Sequence, residues 1–383
     1  MDFDLTEEQQ ILQEMARDFV TRECPPERAK EWDEAGIGAE ELISKMRELG
    51  WFSLGFPESE GGAGGGAIEL CILAEELGRA SFDVAMVYVV SLMTSLTVHR
   101  FADDAQKQWL RENVFTGKRR LSVSISEPES GSDAASVTTR AELRGDEFIV
   151  NGTKAWCTGA GQPNSTLAMY VRTTPGGKKH DGLSLLLIDA ETPGVEVRKT
   201  PTLARNILGT NEVFLTDVVV PRSRLCGPLD GGWKVLLSNL ELERVLLSGA
   251  YVGVAQATFD DALEYAKSRK QFDRPIGNFQ AIAHPLADMQ TEIDAARLLA
   301  RRAAWLLATG RPIRREGAMA KLKGSETYVA MARLGMQIMA GHGYATESVM
   351  SFRWRESIVA TISGGTSQIQ RNGIAATLGL RTY

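Results

Sequence analysis

The sequence predicts an α+β fold built as three successive parts: helical, then β, then helical. Three observations carry this. Apolar residues recur at helical spacing up to about residue 117, short segments bounded by Gly, Pro, Asn and Asp fill 118–226, and long helical segments return over 227–383. A chain of 383 residues is too long for one simple core, so two or three units are expected.

In the first part, Thr6 followed by Gln9 makes a capping box, and Leu5, Ile11, Leu12, Met15, Phe19 and Val20 form a helical stripe. Further helices are expected near 39–49, 67–80 and 83–101. The run Gly61-Gly62-Ala63-Gly64-Gly65-Gly66 lacks the Walker lysine and follows no strand, so it reads as a flexible connector rather than a phosphate cradle. In the second part, Leu121–Ser126, Glu147–Asn151, Thr166–Thr173, Leu183–Asp189, Val195–Thr200 and Glu212–Val220 read as strands of a small barrel or sandwich. In the third, segments near 231–269, 280–309, 313–341 and 346–359 are long and closely connected, as in an antiparallel bundle.

Composition narrows the function. With 43% apolar and 24% charged residues the chain is ordinary for a globular protein, and a net charge of -6 argues against a nucleic-acid partner. Cys24, Cys71, Cys157 and Cys226 lie far apart, and His99, His180, His284 and His342 are scattered, so neither a disulfide framework nor a metal site is expected. The acidic, amphipathic start is unlike a secretory signal, and no run of about 18 uncharged apolar residues suggests a membrane span. A cytoplasmic location is the expectation.

Four strings stand out. Ile125-Ser126-Glu127-Pro128-Glu129-Ser130-Gly131-Ser132-Asp133 offers hydroxyls and free N–H groups to anionic or carbonyl oxygens. In Lys154-Ala155-Trp156-Cys157-Thr158, an aromatic and a hydroxyl two residues apart share one strand face, which suits a flat heterocycle. Arg269-Lys270-Gln271-Phe272-Asp273-Arg274-Pro275-Ile276-Gly277, continuing to Phe279-Gln280, reads alone as a charged helix end with a Pro-Gly turn. Gln337-Ile338-Met339-Ala340-Gly341-His342-Gly343-Tyr344 reads alone as a helix C-cap.

Taken together, in this order and over essentially the whole chain, the strings resemble the acyl-CoA dehydrogenase family. The resemblance implies an N-terminal helical domain (1–117), a middle β-barrel domain (118–226) and a C-terminal four-helix bundle (227–383), assembled as a homotetramer that binds FAD. It implies that Ser126 touches the flavin ring, that Ser132 lies near phosphate groups and substrate, that Trp156 packs on the isoalloxazine, and that Thr158 bonds near N5. Arg269 and Phe272 are implied to reach the FAD of a neighbouring subunit, with the Arg269 guanidinium near its pyrophosphate. Gln337 and Gly341 are implied to lie along the adenine half, and Gln280, Thr366 and Gln368 are also assigned to FAD. Ala340 stands where the family has its first glycine, which touches only close backbone approach.

The pattern breaks at the base. Family chemistry removes an α-proton from an acyl thioester and sends hydride from the β-carbon to flavin N5, which needs a carboxylate and donors to the thioester oxygen. Most members carry that carboxylate in a Tyr-Glu-Gly-Thr string. Here the string is Ser363-Gly364-Gly365-Thr366. Isovaleryl-CoA and long-chain dehydrogenases carry the Glu in a string resembling Leu-Glu-Arg, and Glu241-Leu242-Glu243-Arg244 places Glu243 at the matching position. Glu241 and Glu243 lie about 200° apart around a helix, so only one can face the reaction, and Glu243 is chosen.

The resemblance gives Gly364 N–H as a thioester donor, and Arg244, Ser132 and Ser363 as substrate contacts. Ser363 in place of Tyr leaves room for a branched or bulky acyl group. The implied substrate is an acyl-CoA, or an acyl-carrier-protein thioester, within fatty acid or amino acid catabolism. The implied electron acceptor is an electron-transferring flavoprotein; the family also contains oxidases, which stay open, and the length favours a dehydrogenase over the peroxisomal-type oxidases, which usually have an extra C-terminal domain. Two alternatives stay open: a member without a base, and an enoyl-CoA reductase of the crotonobetainyl type.

Overall fold

The computed structural model describes residues 4–380. By compactness the chain divides into two units. One comprises Gly36–Gly64 with Met86–Leu240, and the other takes the chain up to Ala35, Gly65–Ala85 and the chain from Glu241 onward.

The helical unit begins with α1 (Glu7–Glu23), whose N-terminus carries the predicted box: the Thr6 hydroxyl accepts from Gln9 N–H and the Gln9 side chain accepts from Thr6 N–H. It continues with α2 (Pro26–Ala35) and α4 (Ala67–Ala80), and the other unit holds α3 (Ala39–Glu48). Helix α5 (Phe82–Phe101) is apolar on all sides and buried over nearly its whole length, so it reads as a core helix. Its first turn is capped by Glu356, which accepts from Phe82 and Asp83 N–H at 2.9 and 2.8 Å. The long α7 (Gly232–Ser268), with 37 residues, is about 55 Å long. It crosses α4 at glycines: a Cβ on Gly253 would overlap the Glu75 carbonyl oxygen, and one on Gly78 the Ala250 carbonyl. That close crossing fixes α7, which carries Glu243. Helices α8 (Gln280–Ala308), α9 (Arg314–Met339), α10 (Gly341–Tyr344), α11 (Val349–Ser357) and α12 (Ser367–Thr377) complete the chain.

In the β unit, α6 (Asp104–Leu110) precedes β1 (Arg120–Ser124), β2 (Arg140–Arg144), β3 (Glu147–Thr158), β4 (Ser165–Arg172), β5 (Leu183–Asp189), β6 (Val195–Thr200), β7 (Thr210–Pro221) and β8 (Leu225–Cys226). They form one continuous sheet in the order β6-β7-β3-β2-β4-β5-β8, with β1 pairing parallel to β4. Strand β4 is buried on both faces. Leu167, Met169 and Val171 join a core with Phe148, Leu186 and Val213, while Ala168 and Tyr170 pack with Val98, Leu110 and Leu236.

Three local expectations are corrected. The glycine run is not a loose connector: Gly64 N–H bonds the Phe56 carbonyl at 3.0 Å, and a Cβ on Gly62 would overlap that same carbonyl. The Asn151-Gly152 pair, a turn signal, is instead a bulge inside a strand that runs on to Thr158. Past 346–359, the last helix the sequence predicts, a further helix follows, α12, capped by the Thr366 hydroxyl.

Candidate active site

The sequence-predicted residues fall in both units. In the β unit they surround one buried ion pair. Lys154 Nζ donates to Glu127 Oε1 at 2.8 Å and to the Ile125 carbonyl at 3.0 Å. Glu127 also accepts from Thr138 N–H, the Thr138 hydroxyl and Thr139 N–H. Burial alone would raise the Glu127 pKa, but the Lys154 charge and these hydrogen bonds hold it down at about 2. The clamp ties the loop after β1 to β3, and Ala155 N–H bonds the Ser126 carbonyl at 2.9 Å. On β3 a bulge follows Lys154, and Trp156 takes φ +62°, uncommon for a bulky side chain. Its indole is 63% exposed, whereas Cys157 turns into the core. A strained, exposed indole beside two partly exposed hydroxyls, Ser126 and Thr158, is a platform for a flat ring. Ser132 stands exposed in the loop that follows.

In the helical unit, Glu243 on α7 faces Gly364. A Cβ on Gly364 would lie 3.3 Å from Glu243 Oε1 and 2.5 Å from Leu247 Cδ1. Gly364 and Gly365 have φ of +62° and +79°, so the loop between α11 and α12 needs glycine here on backbone grounds as well. A side chain at 364 would enter the space that the Glu243 carboxylate and Leu247 occupy. Glu243 keeps part of its residue surface exposed, yet its carboxyl is desolvated enough to titrate above the usual carboxylate range, against the lowering charges of Arg244 and Lys321. Burial likewise lowers the Arg244 pKa, and its Nε is buried with no hydrogen-bond partner among the described residues. Ser363 turns back to the Val359 carbonyl at 3.3 Å.

Sequence reasoning missed two residues here. Lys321 on α9 is fully buried, and its Nζ donates to the Ala360 and Gly365 carbonyls at 3.0 and 2.8 Å. The Gln370 amide donates to the Gly364 and Gly365 carbonyls at 3.1 and 3.0 Å. The signal available was a lysine inside an otherwise small and apolar helical stretch, Ala318-Met319-Ala320-Lys321-Leu322.

The third string is a two-residue hairpin rather than a plain helix end. Lys270-Gln271 pairs with Arg274-Pro275, and the tip residues Phe272 and Asp273 have φ of +50° and +64°. Phe272 is 87% exposed, held at the tip beside Phe279, and Arg269 and Gln280 are also exposed. Exposed Gln337 lines a groove of about 500 Å³ along α9 with Glu326, Ala330, Arg333 and Thr361. Gly341 and Gln368 are also exposed, and Ala340 caps α9 at φ +48°, ψ -128°, a conformation that suits glycine.

Comparison with known proteins identifies the family and the fold. Models of the acyl-CoA dehydrogenase N-terminal, middle and C-terminal domains match residues 6–118, 122–218 and 230–379. A probable acyl-CoA dehydrogenase, YngJ, of Bacillus subtilis (strain 168) is 37% identical over 99% of this chain and 100% of its own. The caffeyl-CoA reductase-Etf complex subunit CarC of Acetobacterium woodii is 33% identical over 97% of this chain and 98% of its own. Among solved structures, butyryl-CoA dehydrogenase from Megasphaera elsdenii superposes with a TM-score of 0.94 at 29% identity, covering 99% of this chain and 100% of that one. With all three domain models matched in order along its length, the chain belongs to the acyl-CoA dehydrogenase family.

Proposed function

We propose that this FAD-dependent enzyme dehydrogenates an acyl-CoA at its α,β bond with Glu243 as the α-proton base. One observation carries the assignment: the Glu243 carboxylate occupies the space into which a side chain at Gly364 would project. The usual acid is missing from the 363–366 loop, and another carboxylate fills its place.

FAD, when bound, supplies the hydride acceptor for the β-carbon. Trp156, Ser126 and Thr158 form the surface suited to its ring system, and exposed Arg269, Phe272, Gln280, Gln337, Gly341 and Gln368 suit contacts supplied across a homotetramer. Thr366 has a structural duty as the α12 cap.

Glu243 takes the α-proton, and the Gly364 N–H receives the charge that develops on the thioester oxygen. The desolvated carboxylate is a stronger base than one in water, which shortens the gap to a weakly acidic C–H. The Arg244 and Lys321 charges oppose that rise in pKa. Ser363, folded back on Val359, leaves room for a branched or bulky acyl group. Electrons then pass to an electron-transferring flavoprotein, and the four buried free thiols suit a reducing cytoplasm.

The test is anaerobic mixing of the FAD-loaded protein with short, branched and long saturated acyl-CoAs while following oxidised-flavin absorbance. Bleaching by one class, lost in Glu243→Gln and kept in Glu241→Gln, supports the reading. Bleaching that survives Glu243→Gln refutes it. A second reading, reduction of an enoyl-CoA, is favoured by the likeness to CarC, because a carboxyl that holds its proton can also return it to the α-carbon. Pre-reduced protein that is reoxidised by an enoyl-CoA, with no bleaching by any saturated one, would establish that direction.

A further inference from the structure

We propose that Lys321 is a positioning residue that sets the Gly364 N–H against Glu243. This rests on the reading of Glu243 and Gly364 given above.

The loop between α11 and α12 starts with the 3₁₀ turn Ile358–Thr361 and ends at the Thr366 cap. Between them lie Ile362, Ser363, Gly364 and Gly365, two of them glycines in the left-handed region, so the local backbone does little to hold itself in place. Lys321 bridges this segment from α9. One ammonium takes the Ala360 carbonyl before the glycines and the carbonyl of the second glycine, Gly365. Gln370 takes the Gly364 and Gly365 carbonyls from the α12 side. The Gly365 carbonyl is thereby held from two directions, and the Gly364 carbonyl from one.

The lysine is an expensive way to do this. Among the described residues no carboxylate lies within salt-bridge distance of Lys321, and burial pushes its pKa down to about 8. Burying an ammonium without a carboxylate in contact destabilises a fold. A residue kept at such a cost beside a reacting group points to a functional duty. The duty fits the geometry: where a Gly364 Cβ would be, Lys321 Cε lies 3.8 Å away and Glu243 Oε1 3.3 Å away. A displacement of about 1 Å in such a donor costs on the order of a hundredfold in rate, comparable to removing an oxyanion donor outright.

The experiment compares wild type, Lys321→Met and Lys321→Gln, each FAD-loaded. It reads amide hydrogen exchange in peptides covering 358–366, with α8 peptides as control, and kcat and KM for the saturated acyl-CoA that bleaches wild type best. It also reads deuterium incorporation at that acyl-CoA's α-carbon in D₂O. The expected result for Lys321→Met is at least tenfold faster exchange confined to 358–366, with kcat and α-exchange down about a hundredfold and KM within a few-fold. Lys321→Gln, which keeps a donor, falls between, and it is read by the same criteria if the methionine variant does not fold. Unchanged loop exchange overturns the proposal, whether or not kcat falls. Failure of the base assignment reads separately: α-exchange surviving in Glu243→Gln removes the base but leaves the loop measurement to decide Lys321.

Discussion

Each unit buries a lysine beside some of its predicted site residues, and the two are satisfied in opposite ways. In the β unit, Lys154 has a carboxylate in contact, Glu127, whose remaining lone pairs are filled by Thr138 and Thr139. In the helical unit, Lys321 donates only to carbonyls among the described residues. The buried acids differ likewise. Glu127, beside an ammonium, is held at about 2. Glu356 is buried near Asp83 and Asp33, and burial first and then those charges push it up to about 7 despite N–H bonds from Phe82 and Asp83. The β unit has a matched ion pair that fixes a platform. The helical unit holds, at Lys321 and Glu356, desolvated charge with no oppositely charged side chain in salt-bridge contact among the described residues, alongside matched pairs such as Arg353 with Asp261.

The largest expected effect separates the two roles. Glu243→Gln should lower α-proton exchange by about 10³-fold or more, toward the upper end of general-base contributions, while leaving FAD stoichiometry unchanged by absorbance. Retained exchange would place the proton chemistry elsewhere and break the contrast.

Next in size is stability. Lys154→Met leaves Glu127 buried and unpaired, so the β unit should lose about 3–5 kcal/mol. Lys321→Met also removes a desolvation penalty, so the helical unit should lose less than half of that. Denaturant unfolding checks both, and equal losses would erase the distinction between paired and unpaired lysines.

A pH series sharpens it further. Glu356 has a folded-state pKa above its unfolded value, so its contribution is fully present below about 4.3 and is lost as pH rises through about 7. Glu127 has the opposite sign: its contribution is present above the ordinary carboxylate pKa and is lost as pH falls through about 2. Calorimetry should therefore show the helical unit weakening from pH 5 to 7, by on the order of 3 kcal/mol, with the slope flattened in Glu356→Gln. The β unit should weaken only in acid.

The smallest effect concerns strain. Ala340 sits at φ +48° in the helical unit, so Ala340→Gly should stabilise by about 1 kcal/mol in thermal melts, relief of strain exceeding the entropy cost of glycine.

Much of the fold was legible. Strands β5 and β6 end where their alternation and turn residues say, and α4, α8 and the Thr6–Gln9 box follow periodicity and capping. Helix α2 was missed although Pro26 at its first position is a start signal. Strand β2, Arg140-Ala-Glu-Leu-Arg, was missed because most of it is charged and exposed. The site motifs were legible as strings, but Trp156's left-handed backbone and the Phe272 hairpin were not, since a bulge and a tight turn depend on the strand or loop that opposes them.

By itself the sequence determined the helical–β–helical order, the family motifs, and the loss of the usual carboxylate at Gly364. Periodicity, caps and turn residues act over a few positions, and so they can be read locally. Only the tertiary structure decided that Glu243 fills the space beside Gly364, that Lys321 and Gln370 hold that loop, and which buried charges are matched. Those contacts join residues far apart in the chain, and they exist because α4 and α7 cross closely and α9 packs beside α12, which no local pattern encodes.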